Sequence, residues 1–267
     1  MKDTVVRALD EEWASIDGLL AGLPDAEWSR PTSLPGWSVQ DVVSHIVGAE
    51  LGLCGQTPPM TKDVKAFDHV RNEIGVVNEY WVDWLRDETP QHLHDLFREA
   101  TSTRSQTLQA MPAADFQAPC WTPSGEDTYA RYMRIRVFDC WMHEQDIRDA
   151  VGRKGNETGL AAELSLDEIT AAMGYIVGKR AQAPSGSTVT IQLTGPIERS
   201  VNVSVDGRAK VVETLDGPAT TTLAMDSTLF TRLCGGRTPI DDRLGEIRFD
   251  GDQELGHKVA KALPFTI

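Results

Sequence analysis

The chain has 267 residues, of which 40% are hydrophobic and 25% are charged, the proportions of a globular protein with a buried core. Its 40 acidic and 26 basic side chains give a formal net charge of −14, which argues against nucleic acid or an anionic membrane as a partner, because both need a concentrated basic surface. The sequence has no apolar run of about eighteen residues and no apolar signal-peptide segment, so we expect a cytoplasmic protein without a membrane span.

The first half of the chain predicts helices connected by loops that contain proline and glycine. Apolar residues at helical spacing predict a first helix over residues 2–22. After a loop at residues 31–36, Ser38 followed by Asp41 forms a capping-box pattern that predicts the start of a second helix. Three more helices are predicted at about residues 62–86, 90–110 and 127–151, with a loop at 112–125 and Gly152 as the last C-terminal cap. Long helices with short connections are typical of an antiparallel bundle.

The pattern changes after Gly159. Ser165 and Glu168 form another capping-box pattern, which predicts a helix that extends to about Ala181. Alternating apolar and polar residues then predict five strands, at about residues 188–194, 201–205, 209–214, 220–225 and 246–249. Short helices are expected at about residues 226–234 and 252–263. The predicted fold class is α+β, with an antiparallel helical bundle over residues 1–155 and a smaller α+β domain with an antiparallel sheet over residues 156–267.

The helix predicted at residues 127–151 carries three ionisable residues that are unusual in its context. Its apolar residues lie almost all the way around, which is typical of a buried helix, yet Asp139, His143 and Asp146 lie within about 60° of one another. Buried helices rarely contain such groups unless they are paired or bind a metal. The i, i+4 spacing of Asp139 and His143 lets one ion reach both, and Asp146 can orient an imidazole. Taken alone, the Asp–His pair favours a plain hydrogen bond within the bundle.

His45 changes that balance, because it lies beside the apolar stripe of the second predicted helix. Two helices of one bundle can bring a histidine and an Asp/His pair to a shared interior point. From the residues alone, a metal site and a set of satisfied core groups remain equally open. Glu50 lies close to the middle of the same stripe, where it is either a fourth polar group at the cavity or, as we expect, a residue at a fraying helix end with its carboxylate in solvent. Three other histidines lie among charged residues and are expected on the solvated surface: His69, His92 and His94.

Residues 34–45, which read LPGWSVQDVVSH, resemble the opening motif of the mycothiol-dependent maleylpyruvate isomerase family, one of the DinB-like metal-binding helical bundles. In that family a Pro-Gly-Trp loop leads into a helix with the first histidine ligand, which implies His45 here. The second family motif is an acidic residue, three residues, a histidine and a nearby aspartate, which matches Asp139, His143 and Asp146. The resemblance implies a divalent metal, expected to be zinc, held by His45, Asp139 and His143. Asp139 stands where the family usually has glutamate.

The resemblance covers the whole chain and extends to its C-terminal half. Residues 223–227, the Gly236-Arg237 pair and residues 249–252 are similar to the sterol-carrier-like domain that follows the bundle in these proteins. Arg237, in a Gly-Gly-Arg turn, is the candidate catalytic residue: we expect it to face the cleft between the domains and bind a carboxylate-bearing substrate. A plain surface arginine is an equal alternative.

The implied activity is that of a thiol-dependent metalloenzyme. Its cosubstrate would be a low-molecular-weight thiol, mycothiol, whose pKa a divalent ion lowers, so that the thiolate attacks an electrophilic small molecule. Rotation and expulsion of the thiol would give a cis–trans isomerase, and retention of the adduct an S-transferase. Two alternatives remain: a non-catalytic protein that binds a small ligand or a partner, with a structural or vestigial metal site, and a hydrolase that uses a zinc-bound water.

Overall fold

The computed structural model describes residues 1–266, which form two compact units: residues 1–156, and a second unit that begins at Glu157. The first unit is mainly helical. Its elements are α1 (Lys2–Ala21), α2 (Asp25–Trp28), α3 (Val39–Leu53), α4 (Glu73–Leu85), α5 (Pro90–Ala110), α6 (Ala113–Phe116), the hairpin β1 (Pro119–Thr122) and β2 (Gly125–Thr128), and α7 (Tyr129–Val151).

Local capping explains where the two most important helices begin and end. At the start of α3 the Ser38 backbone N–H donates to Asp41 Oδ2 at 2.8 Å, and the Asp41 N–H donates to Ser38 Oγ at 3.3 Å. The predicted capping box is therefore confirmed. Helix α7 begins after Thr128, whose side chain accepts the Arg131 N–H, and ends at Gly152 with a φ of 67°, as predicted. A cap with a positive φ favours glycine, because glycine has no Cβ atom to clash in the left-handed region.

Two predicted segments of the first unit differ from the structure. The helix expected at 62–86 begins only at Glu73, because Asn72 caps it, and upstream there is only one turn of 3-10 helix at Val64–Ala66. The loop expected at 112–125 contains α6 and the first strand of the hairpin. Gly125, with a φ of 107°, provides the turn that lets the two strands pair.

Helix α3 packs against α4, α5 and α7, while α1 packs against α5 and α7. A glycine allows the closest approach in this bundle: a Cβ atom at Gly48 would lie 2.4 Å from the Cβ atom of Trp81 on α4. The middle of α3 is consequently fully buried, from Val42 to Val47 with only His45 slightly accessible. This packing brings one face of α3 against α7, where the ionisable residues lie.

The second unit combines helices with one sheet. Its elements are α8 (Leu160–Ala171), α9 (Met173–Tyr175), a π-helical turn (Ile176–Arg180), β3 (Thr188–Thr194), β4 (Arg199–Asp206), β5 (Arg208–Val212), β6 (Thr221–Asp226), α10 (Ser227–Cys234), 3-10 turns at Ile240–Asp242 and Leu244–Glu246, β7 (Arg248–Gly251) and α11 (Gln253–Ala262). The strand order is β5-β4-β3-β6-β7. The α+β class is confirmed.

Two details of the prediction for this unit are wrong. The sheet is mixed and not antiparallel, because β6 runs parallel to β3. Strand β4, which pairs with β5, already occupies one edge of β3, so β6 pairs along the other edge. Ser165 does not begin a helix but lies inside α8, where its hydroxyl donates to the Ala161 carbonyl at 2.7 Å. The helix begins after Gly159, whose φ of 95° turns the chain into it.

Candidate metal centre

Three side chains of the first unit converge between α3 and α7. His45 Nε2 lies 3.2 Å from Asp139 Oδ2, and His143 Nε2 lies 3.5 Å from Asp139 Oδ1. The two imidazole rings meet edge to face, with centroids 4.8 Å apart. One possible ligand atom from each of the three residues lies within 4.8 Å of the others. Two imidazole nitrogens and one carboxylate suit a zinc-like ion that keeps an open coordination position.

Access to the three side chains is uneven. The side chains of His45 and His143 are 5% and 9% exposed, whereas that of Asp139 is 28% exposed. Solvent therefore reaches the cluster from the carboxylate side, while the imidazoles are covered. A small molecule would approach the cluster from the same side as solvent.

The far side of the His143 imidazole is held by Asp146. His143 Nδ1 lies 3.1 Å from Asp146 Oδ2, and the hydroxyl of Ser33 donates to Asp146 Oδ1 at 3.3 Å. A carboxylate on one imidazole nitrogen fixes the tautomer and the ring orientation, which leaves the other nitrogen for the cluster. This matches the orienting role expected for Asp146.

Trp37, from the loop before α3, covers both imidazoles. Its ring centroid lies 5.3 Å from that of His45 and 6.1 Å from that of His143. A large ring at this distance excludes water from one side of the imidazoles. The indole of the Pro-Gly-Trp loop is therefore part of the wall of the site.

A buried network of arginines and carboxylates supports Asp139. Arg136 Nη1 donates to Asp139 Oδ2, while its Nη2 donates to Glu50 Oε1 at 2.7 Å. Arg104 Nε donates to the other oxygen of Glu50 at 3.1 Å, and its Nη2 donates to the Tyr129 hydroxyl at 2.7 Å. The prediction that the Glu50 carboxylate lies in solvent is wrong: its side chain is 1% exposed and two arginines neutralise it.

The pKa values of the cluster follow from these contacts. Burial alone would raise the pKa of Asp139, but Arg136 and then the two histidines hold it well below its usual value, so the carboxylate is ionised. Burial lowers the pKa of His45 despite the opposing effect of Asp139. Burial also acts to lower the pKa of His143, but Asp139 and Asp146 outweigh it and the pKa is raised. The cluster therefore combines an ionised carboxylate with two imidazoles whose pKa values are shifted in opposite directions.

The remaining candidates lie elsewhere, and two expectations about them are wrong. His94 is buried and lies 2.6 Å from Asp17 Oδ1, and His69 lies 2.9 Å from Glu79 Oε2, so neither is a freely solvated surface group. Each imidazole is paired with a carboxylate on a different element of the fold, a contact that local composition cannot reveal. Arg237 is in the second unit, where its Nη1 donates to the Gly235 carbonyl at 2.6 Å.

Sequence reasoning missed Arg136 and Arg104. The available signal for Arg136 was its position three residues before Asp139 on one helix, a spacing at which the two side chains can meet. Arg104 gave no comparable signal, because its helix is polar over most of its surface.

Both halves of the chain match known families. Residues 9–148 match the family model of the mycothiol maleylpyruvate isomerase (MDMPI) N-terminal domain. Residues 163–257 match the model of the MDMPI C-terminal domain. The uncharacterised proteins Rv0036c and MT0041, from two strains of Mycobacterium tuberculosis, are each 25% identical to this chain over 148 residues, which is 55% of this chain and 56% of each relative. The chain therefore spans about half the length of the curated relatives that it matches.

Two solved structures share the fold. One is a mycothiol-dependent maleylpyruvate isomerase that is 14% identical to this chain. The match covers 89% of this chain and 90% of that chain, with a TM-score of 0.58. The other is a histidine-to-alanine mutant of the mycothiol-dependent maleylpyruvate isomerase that is 13% identical to this chain. The match covers 94% of this chain and 93% of that chain, with a TM-score of 0.61. Within residues 1–266, no helix is long and apolar enough to cross a membrane.

A helical unit with a His/Asp/His cluster, followed by a unit built on a mixed sheet, defines a two-domain α+β protein. The chain belongs to the mycothiol-dependent maleylpyruvate isomerase family, since the family's two domains together match most of its length.

Proposed function

We propose that the protein is a thiol-dependent metalloenzyme in which His45, Asp139 and His143 hold one divalent ion, with zinc as the expected metal. The observation that carries this proposal is the convergence of the three possible ligand atoms within 4.8 Å of one another. The donor set fits: two imidazoles and a carboxylate that Arg136 keeps ionised. A zinc-like ion held there would lower the pKa of an approaching thiol, so that a thiolate forms at neutral pH.

The protein's own residues would prepare the reaction. Asp146 keeps the His143 ring in one orientation, and Trp37 excludes water from one side of both imidazoles. The thiol is expected to be mycothiol, the cosubstrate for which the family is named. Its thiolate would add to an electrophilic carbon of a conjugated carbon–carbon double bond, forming a carbon–sulfur bond while the π electrons move toward the conjugated carbonyl. If the adduct rotates about the new single bond and the electrons return to expel the thiolate, the double bond re-forms in the other geometry and the thiol is regained. If the adduct takes up a proton instead, the carbon–sulfur bond persists and the product is a thioether, the S-transfer outcome.

Metal content tests the first part of the proposal. We expect elemental analysis of protein purified without chelator to find about one divalent ion per chain, and far less in His143→Ala. Asp149→Asn, an exposed acidic residue on the same helix, is the matched control and should keep the metal. A parent protein that takes up no metal even after reconstitution would overturn the metalloenzyme and favour a non-catalytic binding protein.

Thiol chemistry tests the second part. Cobalt-substituted protein should change its absorption spectrum when mycothiol is added, and product analysis with maleylpyruvate and mycothiol should then separate an isomer from a thioether adduct. Turnover that needs no thiol would favour hydrolysis instead. Arg237 stays a prediction as the residue that binds an anionic substrate: Arg237→Ala should raise KM for a carboxylate-bearing substrate, and an unchanged KM would remove it from the site.

A further inference from the structure

A further buried carboxylate, on α4, lies near the candidate metal centre without belonging to it. Glu79, on α4, has a side chain that is only 1% exposed. Its Oε2 accepts the indole N–H of Trp37 at 2.9 Å and lies 2.9 Å from His69 Nε2, while its Oε1 accepts from Arg86 Nη2 at 2.9 Å. A buried carboxylate is costly unless it is fully hydrogen-bonded, and Glu79 meets that condition with three different partners.

One of these partners is the indole that covers the imidazoles. The backbone of the Trp37 loop is held by its own hydrogen bonds, including Trp37 N–H to the Leu34 carbonyl at 3.1 Å. The ring, however, has a single polar atom, Nε1, and that atom donates to Glu79. This bond therefore sets the rotation of the indole against His45 and His143.

The other partners of Glu79 hold it in place. Arg86 Nε also donates to Asp41 Oδ1 at 2.9 Å, which ties Glu79 to the capping box at the start of α3. His69 packs directly on the loop: a Cβ atom at Gly36, whose φ is +80°, would lie 2.6 Å from His69 Nδ1. The carboxylate is thus fixed from two sides before it meets the indole.

We propose that Glu79 is a positioning residue of the metal centre and acts through the indole N–H of Trp37. By holding the indole against both imidazoles, Glu79 keeps water away from their covered side. It also limits the directions in which the imidazole nitrogens can point toward an ion. The role in metal binding rests on the proposed function, whereas the effect on the imidazoles is a property of the fold and can be measured without metal.

The first test is NMR of the full-length protein in the presence of a chelator. Trp37→Phe assigns the relevant indole signal among the seven tryptophans. Glu79→Leu removes the acceptor, so the imidazole proton signals of His45 and His143 should shift as the ring moves. Glu79→Gln keeps an amide oxygen as acceptor and should restore those signals toward the parent, with a weaker hydrogen bond at the indole.

Glu73→Gln is the matched control, because it removes a carboxylate of the same helix that is exposed and paired with Lys65, outside the contacts of Glu79. It should leave the imidazole signals unchanged. Unchanged signals in a folded Glu79→Leu variant would overturn the proposal. If Glu79→Leu does not fold, Glu79→Gln decides: an indole N–H signal and exchange rate identical to the parent's would show that Glu79 does not hold the ring.

The second test is cobalt binding. Glu79→Leu should lose affinity by about 10-fold or more, the usual effect of removing a group that orients a ligand, and Trp37→Phe should lose a similar amount. Because both act through one contact, the double variant should lose no more than either alone. A parent that binds no cobalt would overturn the metal centre itself, whereas additive losses would overturn the route through Trp37.

Discussion

The carboxylate of Asp146 lies 3.1 Å from Nδ1 of His143, on the opposite side of the ring from the nitrogen that faces Asp139. Asp146 is fully buried, and Ser33 is hydrogen-bonded to its other oxygen. Asp146 therefore fixes the ring through Nδ1, and Nε2 is left facing the cluster. This arrangement also makes Asp146 testable separately from the three proposed ligands.

Asp146→Asn should weaken metal binding by about 10- to 100-fold without abolishing it, because the ring loses its charged anchor and keeps its ligand nitrogen. Competition between the protein and a chromophoric chelator measures the affinity. Asp149→Asn, exposed one turn further along α7, is the control and should bind like the parent. Equal affinities for both variants would exclude an orienting role for Asp146.

The carboxylate at position 139 gives a second prediction. Asp139→Asn should lose at least about 10-fold in metal affinity, since the negative charge that attracts a cation is removed. Asp139→Glu keeps the negative charge and should bind more tightly than Asp139→Asn. The same chelator competition measures both variants. Weaker binding by Asp139→Glu than by Asp139→Asn would show that the position does not supply a ligand.

Glu50 should be essential for stability, although it is not a proposed ligand. Its carboxylate forms ion pairs with both Arg104 and Arg136, and all three side chains are buried. Glu50→Gln leaves two buried guanidinium groups without that charge and should reduce the free energy of unfolding by about 3 kcal/mol. Urea unfolding followed by circular dichroism measures the change.

The control for Glu50 is Glu11→Gln on α1, which removes an exposed carboxylate paired with Arg7. Exposed pairs of this kind contribute less than about 1 kcal/mol, so the variant should unfold close to the parent. A Glu50→Gln protein as stable as Glu11→Gln would mean that the buried network does not contribute to folding.

A buried pair of carboxyl groups predicts a pH dependence of stability. Glu12 on α1 is fully buried; Asn156 donates to one of its oxygens at 2.9 Å and also to Glu144. Burial, and then the nearby Glu144, raise the pKa of Glu12 well above 4.5. The folded protein therefore binds this proton more tightly than the unfolded chain. The resulting stability is present below about pH 4.5 and is lost as pH rises through the folded pKa.

Glu12→Gln cannot ionise, and its amide can donate to Glu144 while its oxygen accepts from Asn156. At pH 8 we expect this variant to be more stable than the parent by on the order of 1 kcal/mol, which corresponds to a rise in Tm of about 2–4 °C. The advantage should shrink as the pH is lowered toward 5. Thermal unfolding across this range measures it, and a parent that stays the more stable protein at pH 8 would contradict the raised pKa.

The sequence alone was sufficient for features set by nearby residues. The capping box at Ser38, the glycine cap at Gly152 and the alternation in β3 and β4 each depend on residues within one turn or one strand, and the structure contains them. The family resemblance likewise rested on two short motifs. Such features are readable because their energies arise from local hydrogen bonds and from the period of the backbone.

Tertiary structure decided the features that join distant parts of the chain. The parallel pairing of β3 with β6 depends on which edge the β4–β5 hairpin left open. The burial of Glu50 depends on arginines 54 and 86 residues away, and the two bonds of Glu79 to Trp37 and His69 depend on how α4 packs on the loop before α3. A charged side chain tolerates burial only when it is paired, and where the partner lies on another element, spacing along the sequence carries no record of it.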